Sequence, residues 1–320
     1  MLRKLIGIVA LVTLAVTVAA CGGGRSGSAE SAVPVSLDTS ISGAIVIDGS
    51  STVAPLATAL AEQFEASAPN VTVTVGTSGT GGGFEKFCKG ETDVSDASRA
   101  IEPDEEAACA ANGITYKTLT VANDGIAVVT NKDNTWATCL TTDQLAAIWE
   151  PSATAKTWQD IDPAWPAESF KLYGPGTDSG TFDFFTEVVN GEEGASRTDY
   201  APSEDDNVTI QGVSGEKGGL GYFGLSYYEQ NTDRLNLLQI DSGGGCIAPD
   251  AKTVQDGTYT PLSRPLYMYI SDAALERPEV KAMIGFFVAN ETSLTKSALY
   301  VPLNPDQLKE AEALVDLGTS

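Results

Sequence analysis

The pattern of apolar residues predicts short buried strands that alternate along the chain with amphipathic helices. Residues 44–48 read as a buried strand, since all but Asp48 are apolar, and apolar side chains follow at helical spacing over residues 53–64. Residues 71–75 alternate as a second strand, before a glycine-rich turn at 76–83. The same criteria predict strands at 93–98, 126–129, 170–173 and 266–270, and helices at 84–88, 142–149, 182–189, 277–290 and 305–317. This order favours an α/β fold with largely parallel sheets.

Composition excludes several classes of function. The chain has 320 residues, 42% hydrophobic and 19% charged, which suits one large domain or two of medium size. Its formal charge of −24 argues against a nucleic acid or an anionic membrane surface as partner. There is no histidine, which removes Ser-His-Asp and Cys-His catalysis and His-ligated zinc. We therefore expect neither an enzyme nor a cofactor or metal site.

The first residues have the plan of a secretory signal peptide. Arg3 and Lys4 precede an apolar run over residues 5–20 that is short for a membrane span. The run ends at Val18-Ala19-Ala20-Cys21, which resembles the bacterial lipobox. We expect cleavage of residues 1–20, lipidation of Cys21 and a Gly- and Ser-rich tether over residues 21–40. The protein would then be extracytoplasmic and lipid-anchored to the outer face of the cell membrane.

The four remaining cysteines are expected to form disulfides, since the compartment permits them. Four cysteines allow three pairings. We favour Cys88–Cys109 with Cys139–Cys246, because the first pair is local and flanks one acidic loop. A metal site is the rival, and it is disfavoured because the sequence has no C-x-x-C spacing.

Three glycine- and hydroxyl-rich loops lie between a predicted strand and a predicted helix, at residues 49–52, 78–83 and 178–181. A helix N-terminus offers unpaired N–H groups, glycine lets an anion approach the backbone, and Ser or Thr adds O–H donors. Each loop alone is ordinary capping and turn chemistry. Together, the three loops indicate an anion site that needs no net positive charge.

A fourth segment, Val94-Ser95-Asp96-Ala97-Ser98-Arg99, follows the second loop. The ordered set of four segments resembles the PstS-type phosphate-binding proteins of bacterial ABC uptake systems, over roughly residues 41–320. The resemblance implies a two-lobed, type II periplasmic-binding-protein clamshell with the ligand in the cleft. One lobe would comprise residues 41–122 plus 261–320 and the other residues 123–260, with hinge crossings near 121–125 and 260–264.

The resemblance also assigns ligand contacts by motif. Hydroxyl and backbone donors would come from both lobes, Asp96 would accept a hydrogen bond from a P–O–H group, and Arg99 would supply positive charge. Many relatives have an arginine shortly before the third loop, whereas residues 173–177 here carry no cation. Arg99 would then be more central, or the site less cationic. The expected phosphate-binding residues are Ser51, Thr52, Ser78, Asp96, Arg99, Ser179, Gly180 and Thr181.

The expected function is capture of inorganic phosphate by a monomer that delivers it to ABC permease subunits in the membrane. Two alternatives come from other classes. An enzyme would need Lys or a carboxylate as its base. A surface adhesion or signalling lipoprotein would need no small anion. Within the binding-protein class, molybdate, sulfate or an organic phosphate are alternative ligands.

Overall fold

The structure is a computed structural model that describes residues 39–317. The predicted lipidation site Cys21, the signal peptide and most of the tether lie outside the described residues. The strands are β1 Gly43–Gly49, β2 Val71–Gly76, β3 Val94–Ala97, β4 Tyr116–Asn131, β5 Cys139–Thr141, β6 Lys171–Gly174, β7 Ala201–Pro202, β8 Gly219–Gly224, β9 Leu235–Leu237, β10 Gln239–Asp241, β11 Cys246–Ile247 and β12 Ser263–Ser271. The helices are α1 Ala54–Ser67, α2 Gly79–Phe87, α3 Pro103–Ala111, α4 Thr142–Trp149, α5 Trp158–Ile161, α6 Gly180–Asn190, α7 Asp206–Gly215, α8 Leu225–Glu229, α9 Ala251–Gln255, α10 Asp272–Leu275, α11 Pro278–Ser297 and α12 Pro305–Leu317.

The main sheet has the strand order β2-β1-β3-β12-β4-β8-β6-β7, with β9 also paired to β4. Its two ends are parallel, since β1 pairs in parallel with β2 and β3, and β6 with β7 and β8. Its centre is antiparallel, because β12 runs against β3 and β4, and β4 against β8. The fold is α/β as expected, but the expectation of largely parallel sheets is wrong. The long return strand β12 makes the sheet mixed.

Two large apolar cores divide the described residues, and a smaller third cluster surrounds Phe84 and Cys109. One contains buried residues between 45 and 122 together with residues from 266 to 311, and the other contains residues from 126 to 262 plus Val301. Strand β4 passes from one core to the other, and β12, which begins directly after Leu262 of the second core, pairs with it along residues 116–125 and 263–271. The protein is thus two-lobed. The division falls close to the lobe boundaries expected above, which remain a prediction.

The predicted elements appear with two instructive differences. The glycine run 79–83 belongs to helix α2 and is not a turn. A Cβ at Gly83 would lie 2.6 Å from the Cα of Gly49, so glycine lets this helix pack directly on β1. Strand β4 is also far longer than the predicted 126–129, because it continues through the polar residues Asn123 and Asp124, both buried.

Both expected disulfides are confirmed. Cys88 bonds Cys109 and Cys139 bonds Cys246, with sequence separations of 21 and 107 residues. All four cysteines are therefore unavailable as metal ligands, which removes the rival interpretation of these residues. Within residues 39–317, no helix combines the length and apolarity needed to cross a membrane.

Candidate functional site

The predicted loops converge on one cavity of about 290 Å³. Five of the eight expected contact residues line it, and Ser179 and Thr181 line a neighbouring cavity that also includes Ser51, Thr52 and Gly180. Asp96 lines neither of these cavities and is fully buried behind the first loop. The predicted residues that line the first cavity are Ser51, Thr52, Ser78, Arg99 and Gly180.

The first loop is fixed to strand β3. The Ser50 N–H donates to the Asp96 carbonyl over 2.9 Å, and the Ser50 Oγ accepts from the Thr52 N–H over 3.2 Å. The Ser50 carbonyl accepts from the N–H groups of Val53 and Ala54, which starts α1. These bonds hold Ser51 and Thr52 at the cavity without the help of a ligand.

The carboxyl group of Asp96 is the outstanding feature behind this loop. Its side chain is 0% exposed, and neither oxygen has a hydrogen-bond partner among the described residues. Burial, reinforced by the negative charge of Asp48, raises the pKa of Asp96 well above its ordinary value. A buried carboxyl group without a partner is strongly unfavourable. A hydrogen-bond donor at this point would stabilise the carboxyl group.

Hydrogen bonds to Asp48 fix the second loop. Both the N–H of Ser78, over 3.1 Å, and its hydroxyl donate to the Oδ1 of Asp48. The other carboxylate oxygen of Asp48 accepts from Lys86 over 2.6 Å. The hydroxyl hydrogen of Ser78 is thus engaged within the protein, and Ser78 would have to rotate to donate to a ligand.

Arg99 lines the cavity, but its charge is already paired. Its two terminal nitrogens donate to both carboxylate oxygens of Glu105 over 2.8 and 2.9 Å, and its Nε lies 3.4 Å from a Glu102 oxygen. Bidentate pairs of this kind have fixed geometry. Arg99 therefore contributes less positive charge to the cavity than the motif alone suggests.

Arg264 is a cavity residue to which the sequence analysis assigned no ligand contact. Its Nη2 donates to the Thr52 hydroxyl over 3.1 Å and to the Gly180 carbonyl over 3.3 Å. Its Nε lies 3.4 Å from the buried carboxylate of Asp124, and the guanidinium lies 3.9 Å from the ring centroid of Phe184. The side chain is 12% exposed. The cavity thus has an arginine on β12 in addition to Arg99, whereas residues 173–177 carry no cation.

The third loop brings the start of α6 against the first loop. The Ser179 hydroxyl caps the helix by accepting from the Thr181 N–H over 3.2 Å. A Cβ at Gly180 would lie 2.1 Å from the Thr52 hydroxyl oxygen, so only glycine allows this approach. The loop before α1 and the start of α6 therefore contact each other at the cavity.

Comparison with known proteins agrees with this geometry. A PBP superfamily domain matches residues 34–291. The chain is 43% identical over 262 residues to Protein SphX of Synechococcus elongatus, covering 81% of this chain and 77% of that one. It is 40% identical over 299 residues to the phosphate-binding protein PstS of Staphylococcus saprophyticus, covering 93% and 89%.

The fold is also found among solved structures. A possible phosphate binding protein from Planctomyces limnophilus has a TM-score of 0.83 and 43% identity, covering 88% of this chain and 100% of that chain. An ABC-type phosphate transport receptor from Vibrio cholerae has a TM-score of 0.66 at 22% identity, which is a likeness of fold. The chain belongs to the PBP superfamily and, within it, to the PstS-type phosphate-binding proteins, a family of extracytoplasmic solute-binding transport proteins.

Proposed function

We propose that this protein binds inorganic phosphate in the cavity between the first, second and third loops. The observation that carries the proposal is the Asp96 carboxyl group, fully buried and without a partner, behind loops built from hydroxyls and helix N-termini. Relatives named as phosphate-binding proteins at 40% identity support the same ligand. The cavity would be an oxyanion site in which the Thr52 hydroxyl and the Arg264 guanidinium are already positioned.

The ligand contacts follow from the positions described above. Thr52 and Gly180 lie next to each other at the cavity, and Arg264 bridges them with one terminal nitrogen. An oxyanion there would receive hydrogen bonds from the guanidinium, from loop hydroxyls and from helix N-terminal amides. We propose Arg264 as the main cation and Arg99 as a secondary one. The proposed set otherwise keeps the residues predicted from sequence: Ser51, Thr52, Ser78, Asp96, Ser179, Gly180 and Thr181.

Asp96 would make the site selective for a protonated oxyanion. Phosphate near neutral pH keeps at least one P–O–H group, which can donate to a carboxylate. Sulfate is fully ionised under these conditions and has no hydrogen to donate. An ionised Asp96 would repel it, so selectivity would come from a repulsive element as well as from attractive ones.

The cellular role follows from the family. We propose that residues 41–122 plus 261–320 and residues 123–260 form the two lobes, and that the loaded monomer delivers phosphate to ABC permease subunits. Cys21 would carry the lipid anchor after removal of residues 1–20, with residues 21–40 as a tether. The protein would act as a binding component and not as an enzyme.

Calorimetric titration with phosphate, followed by competition with arsenate and sulfate, tests the ligand. The proposal predicts one phosphate bound per chain, displacement by arsenate and no displacement by sulfate. Sulfate or molybdate binding more tightly than phosphate would assign the site to another oxyanion. No binding heat, together with no phosphate-dependent shift in thermal unfolding, would favour an adhesion or signalling role.

A further inference from the structure

The segment that joins α11 to α12 contacts both large apolar cores. Val301 lies in the core of residues 126–262, whereas Leu303, two residues later, lies in the core formed by residues 45–122 and 266–311. Both side chains are buried. Elsewhere the cores are linked by β4 and by the entry to β12, and these two strands pair with each other. The segment is therefore a further, non-covalent connection between the two cores.

This segment is bound to β4 where that strand passes between the cores. The backbone of Asn123 exchanges two hydrogen bonds of 2.9 Å with Val301, while Asn123 faces Pro265 of β12 on its other side. Its side-chain amide donates to the Pro302 carbonyl over 3.1 Å and exchanges two bonds of 3.0 and 2.9 Å with the amide of Gln307. At the expected hinge, β4 thus lies between β12 and this segment.

Other contacts fix the segment to the first of these lobes. The Leu303 N–H donates over 2.7 Å to the buried carboxylate of Glu291 on α11, and the same oxygen accepts from the Thr295 hydroxyl over 3.2 Å. The Tyr300 hydroxyl donates to the carbonyl of Thr52 in the first loop. The segment is therefore connected directly to a loop that lines the cavity.

Two hydrogen bonds connect the segment to α9, which belongs to the other core through Val254. The side-chain amide of Gln255 donates to the Pro302 carbonyl over 2.8 Å, and the Gln255 carbonyl accepts from the side-chain amide of Asn304 over 3.2 Å. Hydrogen bonds weaken steeply as their distance and angle depart from the optimum. Rotation of one core relative to the other would therefore lengthen or break both bonds.

We propose that residues 301–304 and Gln255 form a hinge clamp, which holds the two lobes together before ligand binds. Two paired strands alone make a flexible ribbon, and a third segment bound to its edge and to both cores resists rotation about it. If only the closed arrangement holds phosphate, the apparent affinity scales with the fraction of protein in that arrangement. This effect on affinity rests on the proposed function, whereas the effect on lobe opening does not.

Gln255 and Asn304 are positioning residues in this proposal, since neither lines the cavity or its neighbour. Gln255→Met removes one donor at similar side-chain length, and the Pro302 carbonyl keeps its bond from Asn123. Asn304→Asp removes the other donor and keeps the side-chain oxygen that caps the start of α12. Gln230→Met is the matched control, because that exposed side chain bonds only within its own turn of chain.

Two measurements on the full chain test the clamp. Calorimetric titration with inorganic phosphate should show about three- to tenfold weaker binding for Gln255→Met and for Asn304→Asp, since a neutral hydrogen bond contributes about that much, and no change for Gln230→Met. Hydrogen exchange without phosphate should be faster at residues 49–52 and 178–181, which contact each other at the cavity. Saturating phosphate should remove this difference in exchange.

The inference is overturned if both loops exchange at the rate of the unmodified chain in both variants. Faster exchange confined to α9 and α12 would also overturn it, because that result means a local structural role. So would phosphate affinity that is unchanged, or reduced equally in Gln230→Met. Failure of the unmodified chain to bind phosphate would instead reject the proposed function, and the exchange comparison without phosphate would still decide whether the clamp restrains the lobes.

Discussion

The guanidinium of Arg264 donates to the hydroxyl of Thr52 over 3.1 Å. The two residues are far apart in sequence, one on β12 and the other in the loop before α1. The same nitrogen of Arg264 also reaches the Gly180 carbonyl at the start of α6. The Arg264 side chain therefore contacts both the loop before α1 and the start of α6, at the cavity that we assign to phosphate.

Replacing Arg264 by Gln should weaken phosphate binding by about 10- to 100-fold, since hydrogen bonds to charged groups contribute about 1.5–3 kcal/mol. The pKa of Asp124, which burial raises, should rise further without the guanidinium. Arg264→Lys keeps the charge and should lose less affinity. Titration calorimetry measures the change, and thermal unfolding of the unliganded variants separates it from loss of folding.

Arg99 provides the matched comparison. Its guanidinium is held by Glu105, so Arg99→Gln should weaken phosphate binding less than Arg264→Gln does. The same titrations rank the two arginines directly. A larger loss at Arg99 would restore it to the central role that the motifs alone suggested and would contradict our assignment of Arg264.

Gly180→Ala should weaken phosphate binding by about tenfold or more. The added Cβ would lie 2.1 Å from the Thr52 hydroxyl oxygen, and overpacking of this kind costs about 1–3 kcal/mol. Gly215→Ala is the control, because a Cβ there meets nothing within 4 Å and the residue has no positive φ. Unchanged affinity in Gly180→Ala would mean that contact between the two loops is not part of binding.

Asp96→Asn should stabilise the unliganded protein and reduce discrimination against sulfate. The folded-state pKa of Asp96 lies above its unfolded value, so the folded protein binds the proton more tightly. The contribution of Asp96 to the free energy of unfolding therefore falls as pH rises from its unfolded-state pKa toward its folded-state pKa. Thermal unfolding of the variant at neutral pH should show a higher Tm than the unmodified chain, and sulfate should compete better. A lower Tm with unchanged rejection of sulfate would contradict both roles.

The two disulfides should differ in their contribution to stability. A disulfide lowers the entropy of the unfolded chain more when it closes a longer loop. Cys139–Cys246, which spans 107 residues, should therefore stabilise the folded protein by about 1 kcal/mol more than Cys88–Cys109, which spans 21. Paired Cys→Ser replacements, compared by denaturant unfolding, give the difference. A greater loss from the shorter link would show that native packing around it outweighs chain entropy.

Much of the architecture could be predicted because local patterns determine it. Helix α12 and strand β6 follow the apolar patterns that predicted them, and Thr141, a residue type favoured at helix starts, caps α4 by accepting from the Gln144 N–H. The length of β4 could not be predicted, since Asn123 and Asp124 interrupt the apolar pattern. Their burial depends on partners distant in sequence, such as Arg264 and Gln307.

The site likewise combines residues that local sequence could identify with residues that only the tertiary structure brings to the cavity. Loop residues such as Thr52 and Gly180 belong to motifs with a local chemical signature, so sequence alone could nominate them. Arg264 has no such signature, because it reaches the cavity only through the pairing of β12 with β4. Its position at the expected hinge crossing near 260–264 was visible in the sequence, but that position did not assign it a ligand contact. The pairing of Arg99 with Glu105 was likewise visible only in three dimensions.

The decisive measurement is a crystal structure determined with phosphate. We expect one phosphate in the cavity, hydrogen-bonded to the Arg264 guanidinium and to the loop residues Thr52 and Gly180, with a P–O–H group directed at the Asp96 carboxyl group. Phosphate bound away from Arg264 and Asp96, or an empty cavity at saturating phosphate, would contradict it.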